Sequence, residues 1–379
     1  MLNPTFASGS DLAPERLFGE LGLFQRRSVL VAVSGGSDSL SLLTLLRSWF
    51  HEHGRRDALV AVTVDHRLRA EATDEARAVA AFCAERAIPH ITKVWTGEKP
   101  QTGLAAAARA ARYRLLIETA REIGTDVVLT GHTADDQAET VAMRAERSTG
   151  IGLAGMAAET LLDGSIWLLR PLLPVSRAAL RAHLQGEGVS WIDDPSNSNP
   201  RSERVRVRAA LTPDDRMRLV EQAGQAGAAR RALAEEAAGL LVEHCAATDE
   251  AVMIAPGFFQ AVDHDAAIHA FRLLLGVLGR QPHWPDLPRA TLMFEQMSQP
   301  GFSGSLSGCV GRHRRAGISL RPERRGTGDH GTITTMFAHR VLRPIVPGFD
   351  LAAMRALAKI LKAQDLPASP SSQHNAPFP

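Results

Sequence analysis

Residues 29–39 read Val-Leu-Val-Ala-Val-Ser-Gly-Gly-Ser-Asp-Ser, and a Leu-rich run from Leu40 to Leu46 follows at once. A β-branched apolar run that breaks at Ser-Gly-Gly and resumes as an amphipathic run reads as a buried strand, a tight turn and a helix. Strand then helix is the repeating unit of a parallel sheet, so this segment alone steers the chain toward an α/β fold. The turn's backbone N–H groups and the positive end of the helix dipole make a phosphate cradle. Gly35 and Gly36 let the chain come close to the anion. A carboxylate beside bound phosphates is repulsive unless a divalent cation lies between them, so Asp38 implies a magnesium ion. The loop has neither the Lys of Gly-x-x-x-x-Gly-Lys-Ser/Thr nor the spacing of Gly-x-Gly-x-x-Gly.

The first 150 residues continue the alternation. Strands are expected at 30–33, 59–64, 90–94 and 126–129, and helices at 39–49, 73–86, 104–123 and 135–146. Short β-rich runs between longer helical ones predict a doubly wound, Rossmann-like parallel sheet covered on both faces. Ligands in such sheets sit at the carboxyl ends of the strands. Three segments fall there: the 34–39 loop, Asp65-His66-Arg67 and Gly131-His132-Thr133. This catalytic domain is placed at 1–210, with a further helix near 177–185. A smaller, mainly helical second domain, expected to contact nucleic acid, is placed at 211–345. The segment 346–379 ends in a Pro/Ser/Gln-rich stretch from Gln364 that reads as a disordered tail.

Apolar residues make up 45% of the chain and charged residues 22%, ordinary values for a globular protein. No uncharged apolar run approaches the ~20 residues of a membrane span, and the first residues lack the basic-then-apolar order of a secretory signal. Cys83, Cys245 and Cys309 lie far apart, which fits a reducing cytoplasm and argues against a Cys-x-x-Cys metal site. The net charge of +2 excludes a wholly basic nucleic-acid binder. Its distribution is more telling: four arginines fall in 201–208 and six in 312–325. Planar, bidentate guanidinium groups suit phosphate contacts. Arg204, Arg206 and Arg208 alternate with Val205 and Val207, so an extended segment would project the three arginines from one face along an RNA backbone.

In Gly131-His132-Thr133-Ala134-Asp135-Asp136-Gln137-Ala138-Glu139-Thr140, a helix starting near Ala134 puts Asp136 and Glu139 on one face. Asp135 turns away as an N-terminal residue favoured by the dipole. Ser-Gly-Gly-Ser-Asp-Ser resembles the PP-loop of the N-type ATP pyrophosphatases. With Val64-Asp65-His66-Arg67-Leu68-Arg69, the 106–113 segment, His132 with Asp136 and Glu139-Thr140, Gly152-Leu153-Ala154-Gly155-Met156, and Trp191 with Asp194-Pro195-Ser196-Asn197, the order is similar to the tRNA(Ile)-lysidine synthetase family over about residues 28–210.

The resemblance implies ATP-dependent joining of L-lysine to C2 of the wobble cytidine of the CAU-anticodon tRNA(Ile). The route is an adenylated tRNA, with AMP and pyrophosphate released. It implies that Ser34, Gly35, Gly36, Ser37 and Ser39 hold ATP phosphates and that Asp38 holds magnesium. It implies further that Asp136 and Glu139 receive the lysine, and that Arg112 and His132 stand near the reacting nucleotide. Three places depart from the family: Arg67 stands where Gly is usual after Asp-His, Arg147-Ser148-Thr149-Gly150 where Arg-Gly-Ser-Gly is usual, and Val205 where Asn follows Arg. The competing expectation is another tRNA-modifying or amide-forming PP-loop enzyme.

Overall fold

The structure, a computed structural model, describes residues 12–146, 149–193, 202–279, 285–323 and 345–371. They form two compact units. The first comprises the chain up to Gly227 together with the residues from Ala368 on, and the second is Ala228–Pro367.

In the first unit the parallel strands β1 (Val29–Ala32), β2 (Leu59–Asp65), β3 (His90–Val94) and β4 (Val127–Thr130) alternate with α2 (Ser37–Glu52), α3 (Ala72–Glu85) and α4 (Leu104–Glu122). A short α1 (Pro14–Phe18) precedes them. β5 (Glu159–Leu162) and β6 (Ile166–Leu169) form an antiparallel hairpin. At its turn Asp163 and Gly164 both take positive φ, the conformation that Asp-Gly accepts most readily. β6 then joins β4 in parallel, giving the order β5-β6-β4-β1-β2-β3. Leu30, Val62, Val128 and Leu168 of the sheet pack on Tyr113, Leu116 and Ala120 of α4. The order reverses between β1 and β4, and a crevice opens at the strand ends at such a switch point. Both the 34–39 loop and Gly131-His132-Thr133 leave the sheet there.

α5 (Ala134–Ala145), α6 (Arg177–Gly186), α7 (Glu203–Ala210) and the long α8 (Pro213–His244) complete the unit's helices. The division between units falls inside α8, later than the expected 210. Val220 and Ala223 of α8 are buried against Ala134, Ala138 and Val141 of α5, so its first turns belong to the first unit's core. The expected tail is packed for part of its length: Leu366 is buried, and Ser369 is buried with its hydroxyl donating to Glu159. Residues 372–379 lie outside the described ones.

The second unit combines helices with an antiparallel sheet. β7 (Cys245–Ala247), β8 (Val252–Ile254), β9 (Ser303–Leu306), β10 (Cys309–Arg314) and β11 (Gly317–Pro322) form an antiparallel sheet in the order β7-β8-β11-β10-β9. α9 (His264–Leu278), α10 (Leu287–Met297) and α11 (Leu351–Ile360) accompany it. Gly304 and Gly311 occupy inward positions where a strand normally shows a large apolar residue, which hid the period-two pattern.

A buried charge cluster lies in this unit. Asp350, 1% exposed, accepts from Arg230 Nε at 2.9 Å and Nη2 at 2.5 Å. His269 Nε2 stands 3.9 Å from Asp350 Oδ1 and has no hydrogen-bond partner. Burial pushes the His269 pKa down to about 4; Asp350 opposes the shift, and Arg230 and Arg272 add to it. The unfolded chain therefore takes up this proton first. The His269 contribution is fully present above an unfolded pKa of about 6.5 and is lost progressively as pH falls toward 4, by up to about 3 kcal/mol. The urea midpoint should drop over that range, and His269→Leu should flatten the drop. An equally steep drop in the variant would exclude His269 as its source.

Candidate active site

Gly35 takes φ +87, and a Cβ there would stand 2.9 Å from Ile192 Cδ1, so the turn after β1 requires glycine. Ser39 Oγ accepts from Ser34 N–H at 3.1 Å and donates to the Gly36 carbonyl at 3.0 Å, which pins the loop onto the first turn of α2. Gly131 is needed at the end of β4 for a second reason. A Cβ there would lie 2.7 Å from the Asp38 carbonyl oxygen, so only glycine lets the two loops meet.

Asp38 Oδ1 accepts from Ser37 Oγ at 3.0 Å and Oδ2 from Arg177 Nε at 2.9 Å. Burial raises the Asp38 pKa, with Arg177 pulling against it. The same guanidinium donates from Nη2 to Asp136 Oδ1 at 3.0 Å, and its Nη1 lies 3.7 Å from Glu139 Oε1. Burial works against the Arg177 charge, but Asp136, Asp38 and Glu139 outweigh it and raise its pKa. One cation is thus shared by three carboxylates, which leaves Asp38 undercompensated.

Thr133 caps α5 through a box: its Oγ1 accepts from Asp136 N–H at 3.3 Å, and Asp136 Oδ2 accepts from Thr133 N–H at 2.9 Å. The box fixes Asp136 so that Oδ1 faces the crevice. Glu139, one turn on, is 0% exposed. Its Oε2 accepts from Arg204 Nε at 2.6 Å and its Oε1 from Arg208 Nε at 2.6 Å, while Arg204 Nη2 also reaches Asp136 Oδ1 at 2.9 Å. Asp136 and Glu139 therefore share a face, as expected. Asp135 turns the other way and accepts from the Arg177 backbone N–H at 2.8 Å, capping α6.

The arginine segment differs from its expected form. It is a helix, not an extended strand, so Arg204 and Arg208, four apart, face α5 together while Arg206 is exposed elsewhere. Glu139 and Asp136 hold the pair that the period-two alternation had assigned to RNA. No residue of α7 is buried, and Val205 and Val207 are only half-buried.

His132 Nδ1 lies 2.9 Å from Thr130 Oγ1. Burial, reinforced by Arg170, Arg112, Arg109 and Arg204, pushes its pKa well below the usual range, so the ring is neutral at physiological pH. The Asp65-His66-Arg67 segment is built on Asp65, whose two oxygens accept from Arg67 N–H at 2.8 Å and Thr73 Oγ1 at 2.9 Å. Arg67 has φ +49, a left-handed conformation, which gives the family's usual glycine a physical reason. His66, half-buried, stands edge-on to Trp95 at 5.9 Å.

One cavity of about 810 Å³ has Ser34, Gly36, Ser37, Asp38, Ser39, His66, Arg112, His132 and Asp136 on its wall, while Gly35 and Glu139 lie behind it. Sequence reading had missed Arg109, Arg177 and Arg181, which also line it. Nothing local in the sequence marks Arg177, whose partner Asp38 lies 139 residues earlier. The Asp194-Pro195-Ser196-Asn197 motif lies outside the described residues. Among the described residues, no group of three or more His, Cys, Asp or Glu forms a metal centre. A magnesium ion commonly takes one or two carboxylates and completes its shell with phosphates and water, so the desolvated Asp38 beside a phosphate cradle suits it.

The PP-loop domain family model matches residues 12–215, just over half of the chain. A tRNA(Ile)-lysidine synthase from Mesorhizobium japonicum is 44% identical over 320 residues, covering 82% of this chain and 70% of that protein. The chain belongs to the tRNA(Ile)-lysidine synthase family. The family's members from Brucella anthropi and Brucella ovis are each 49% identical, over 57% and 58% of this chain. The chain spans about half the length of these two relatives, 49% and 50%. Use of ATP follows from membership in the family. No helix among the described residues is long and apolar enough to cross a membrane.

Proposed function

We propose that this chain converts the wobble cytidine of the CAU-anticodon tRNA(Ile) to lysidine, using ATP, magnesium and L-lysine. One observation carries the reading: a single guanidinium, Arg177, touches both Asp38 of the phosphate loop and Asp136 of the acidic pair. The group suited to a nucleotide's metal and the groups suited to an ammonium thus lie at one point of the crevice.

The cytidine C2 oxygen attacks the α-phosphorus of ATP, and pyrophosphate leaves. The lysine side-chain amine then attacks C2, and AMP departs. Ser34, Gly36, Ser37 and Ser39 cradle the phosphates at the positive end of α2. Asp38 would hold magnesium, which when bound offsets phosphate charge. Asp136 and Glu139 receive the lysine, whose ammonium groups call for carboxylates. Arg112, half-buried on the cavity wall, is suited to charge on the adenylate phosphate. His132, being neutral, offers polar contacts without adding repulsion toward the arginines.

Contact with tRNA by the second unit fits the arginine-bearing face of its sheet. Arg312, Arg314 and Arg321 alternate there with Ser303, Ser305 and Ser319 in the register of β9, β10 and β11. Arg324 and Arg325 lie outside the described residues. On the α7 side, Arg206 is the exposed member of its trio and the one best placed for RNA.

The protein incubated with this tRNA, ATP and lysine should give lysidine by mass analysis of the digested nucleosides, with AMP and pyrophosphate as co-products. Formation of ADP, or cytidine left unmodified, would overturn the assignment.

A further inference from the structure

Six arginines line the cavity, and their partners divide them. Arg177, Arg204 and Arg208 hold the acidic cluster, and Arg181 pairs with Asp193 at 2.9 Å. Arg109 and Arg112 have no carboxylate in ion-pair range among the described residues. They lie three apart on α4 and so on neighbouring positions of one face. Arg112 is half-buried and Arg109 is exposed at the rim.

The residue that organises them is Tyr113, the chain's single tyrosine, buried at 7% exposure. The Arg109 guanidinium carbon stands 4.8 Å from the centre of its ring and that of Arg112 5.8 Å. Arg112 and Arg170 both reach its hydroxyl. Arg170 also donates from Nη1 to the Ala157 carbonyl at 2.7 Å and to Thr160 Oγ1 at 2.9 Å. The ring thus restricts Arg109 over an aromatic face, which lessens the conformational freedom lost when the guanidinium takes a ligand. A cationic pair with no internal counter-ion, running from rim to interior, matches an anion that enters from outside and remains partly in water.

We infer that Arg109, held on the Tyr113 ring beside Arg112, binds a backbone phosphodiester of the RNA strand that carries the reacting base. The ATP triphosphate has its own cradle in the 34–39 loop, and a rim position suits a polymer that passes the cavity mouth. The inference rests on the RNA-modifying reading above.

The test is binding rather than turnover. Arg109 is exposed, so Arg109→Gln should fold as the parent does. Affinity for the CAU-anticodon stem-loop RNA, read by fluorescence anisotropy, should fall about five- to tenfold near 0.1 M salt. The slope of log affinity against log salt should flatten by about 0.7, the value of one single-strand phosphate. Arg109→Lys, which keeps the charge, should restore the slope, and ATP affinity should be unchanged in both variants. An unaltered RNA slope in Arg109→Gln, failure of lysine to restore it, or loss of ATP affinity would each overturn the inference. The last outcome would give the phosphate to the nucleotide. Lysidine formation by the parent, measured separately, tests the underlying reading without reference to Arg109.

Discussion

Asp38→Ala should stop pyrophosphate release while leaving the fold intact. The Asp38 side chain is 20% exposed at the first turn of α2, and its loss opens no core cavity. Its partner Arg177 keeps Asp136 and Glu139, so no buried cation is stranded. The loop itself is set by Gly35 and the two Ser39 hydrogen bonds, none of which involves the carboxylate. Loss of a metal-mediated charge contact of several kcal/mol corresponds to a rate lower by roughly two to three orders of magnitude. Pyrophosphate release with tRNA present, beside a thermal melt, separates the two effects. Near-parental release at saturating magnesium would remove Asp38 from the metal's shell.

Glu139→Gln should have the larger structural consequence and should also block lysine transfer. The parent carboxylate is wholly covered and takes both Arg204 and Arg208 at 2.6 Å. An amide keeps the volume but supplies one acceptor oxygen and turns an NH₂ toward a guanidinium. Leaving two half-exposed guanidinium groups short of a partner costs about 1–3 kcal/mol. Since α7 has no buried residue, the loss should loosen α7 first. Removing a partner as well, in Glu139→Gln with Arg208→Gln, should recover part of the stability and none of the lysine transfer. Denaturant midpoints and lysine-dependent consumption of adenylated tRNA report the two effects separately. Recovery of lysine transfer in the double variant would show that Glu139 serves the fold alone.

Much of the first unit was legible because its signals are local. The expected strand at 90–94 matches β3, β2 runs one residue longer than expected, and β1 and β4 are each shifted by one residue. The placement of Asp136 and Glu139 on one helix face follows from helical geometry, and that too is present in the chain's own spacing. What stayed hidden depends on residues far apart. Arg-Val-Arg-Val-Arg alternates like a strand, yet Glu139, 65 residues before Arg204, draws out its helical i,i+4 pair. Arg177 is an ordinary first residue of a helix until Asp38, 139 residues earlier, is folded against it. In the second unit inward glycines removed the alternation by which a sheet is usually recognised.

Glu139 is a carboxylate already saturated by its own protein. On the proposed reading, an incoming lysine meets carboxylates that were stripped of water when the chain folded and that already hold guanidinium groups. Its binding is an exchange of one cation for another. The measured affinity then reflects the difference between ammonium and guanidinium at the same oxygens, far less than the full strength of a buried ion pair. Stability of the domain and choice of amino acid are consequently written on the same atoms. Selection that tightens one through Asp136 or Glu139 moves the other, and this region of the chain has little freedom to drift.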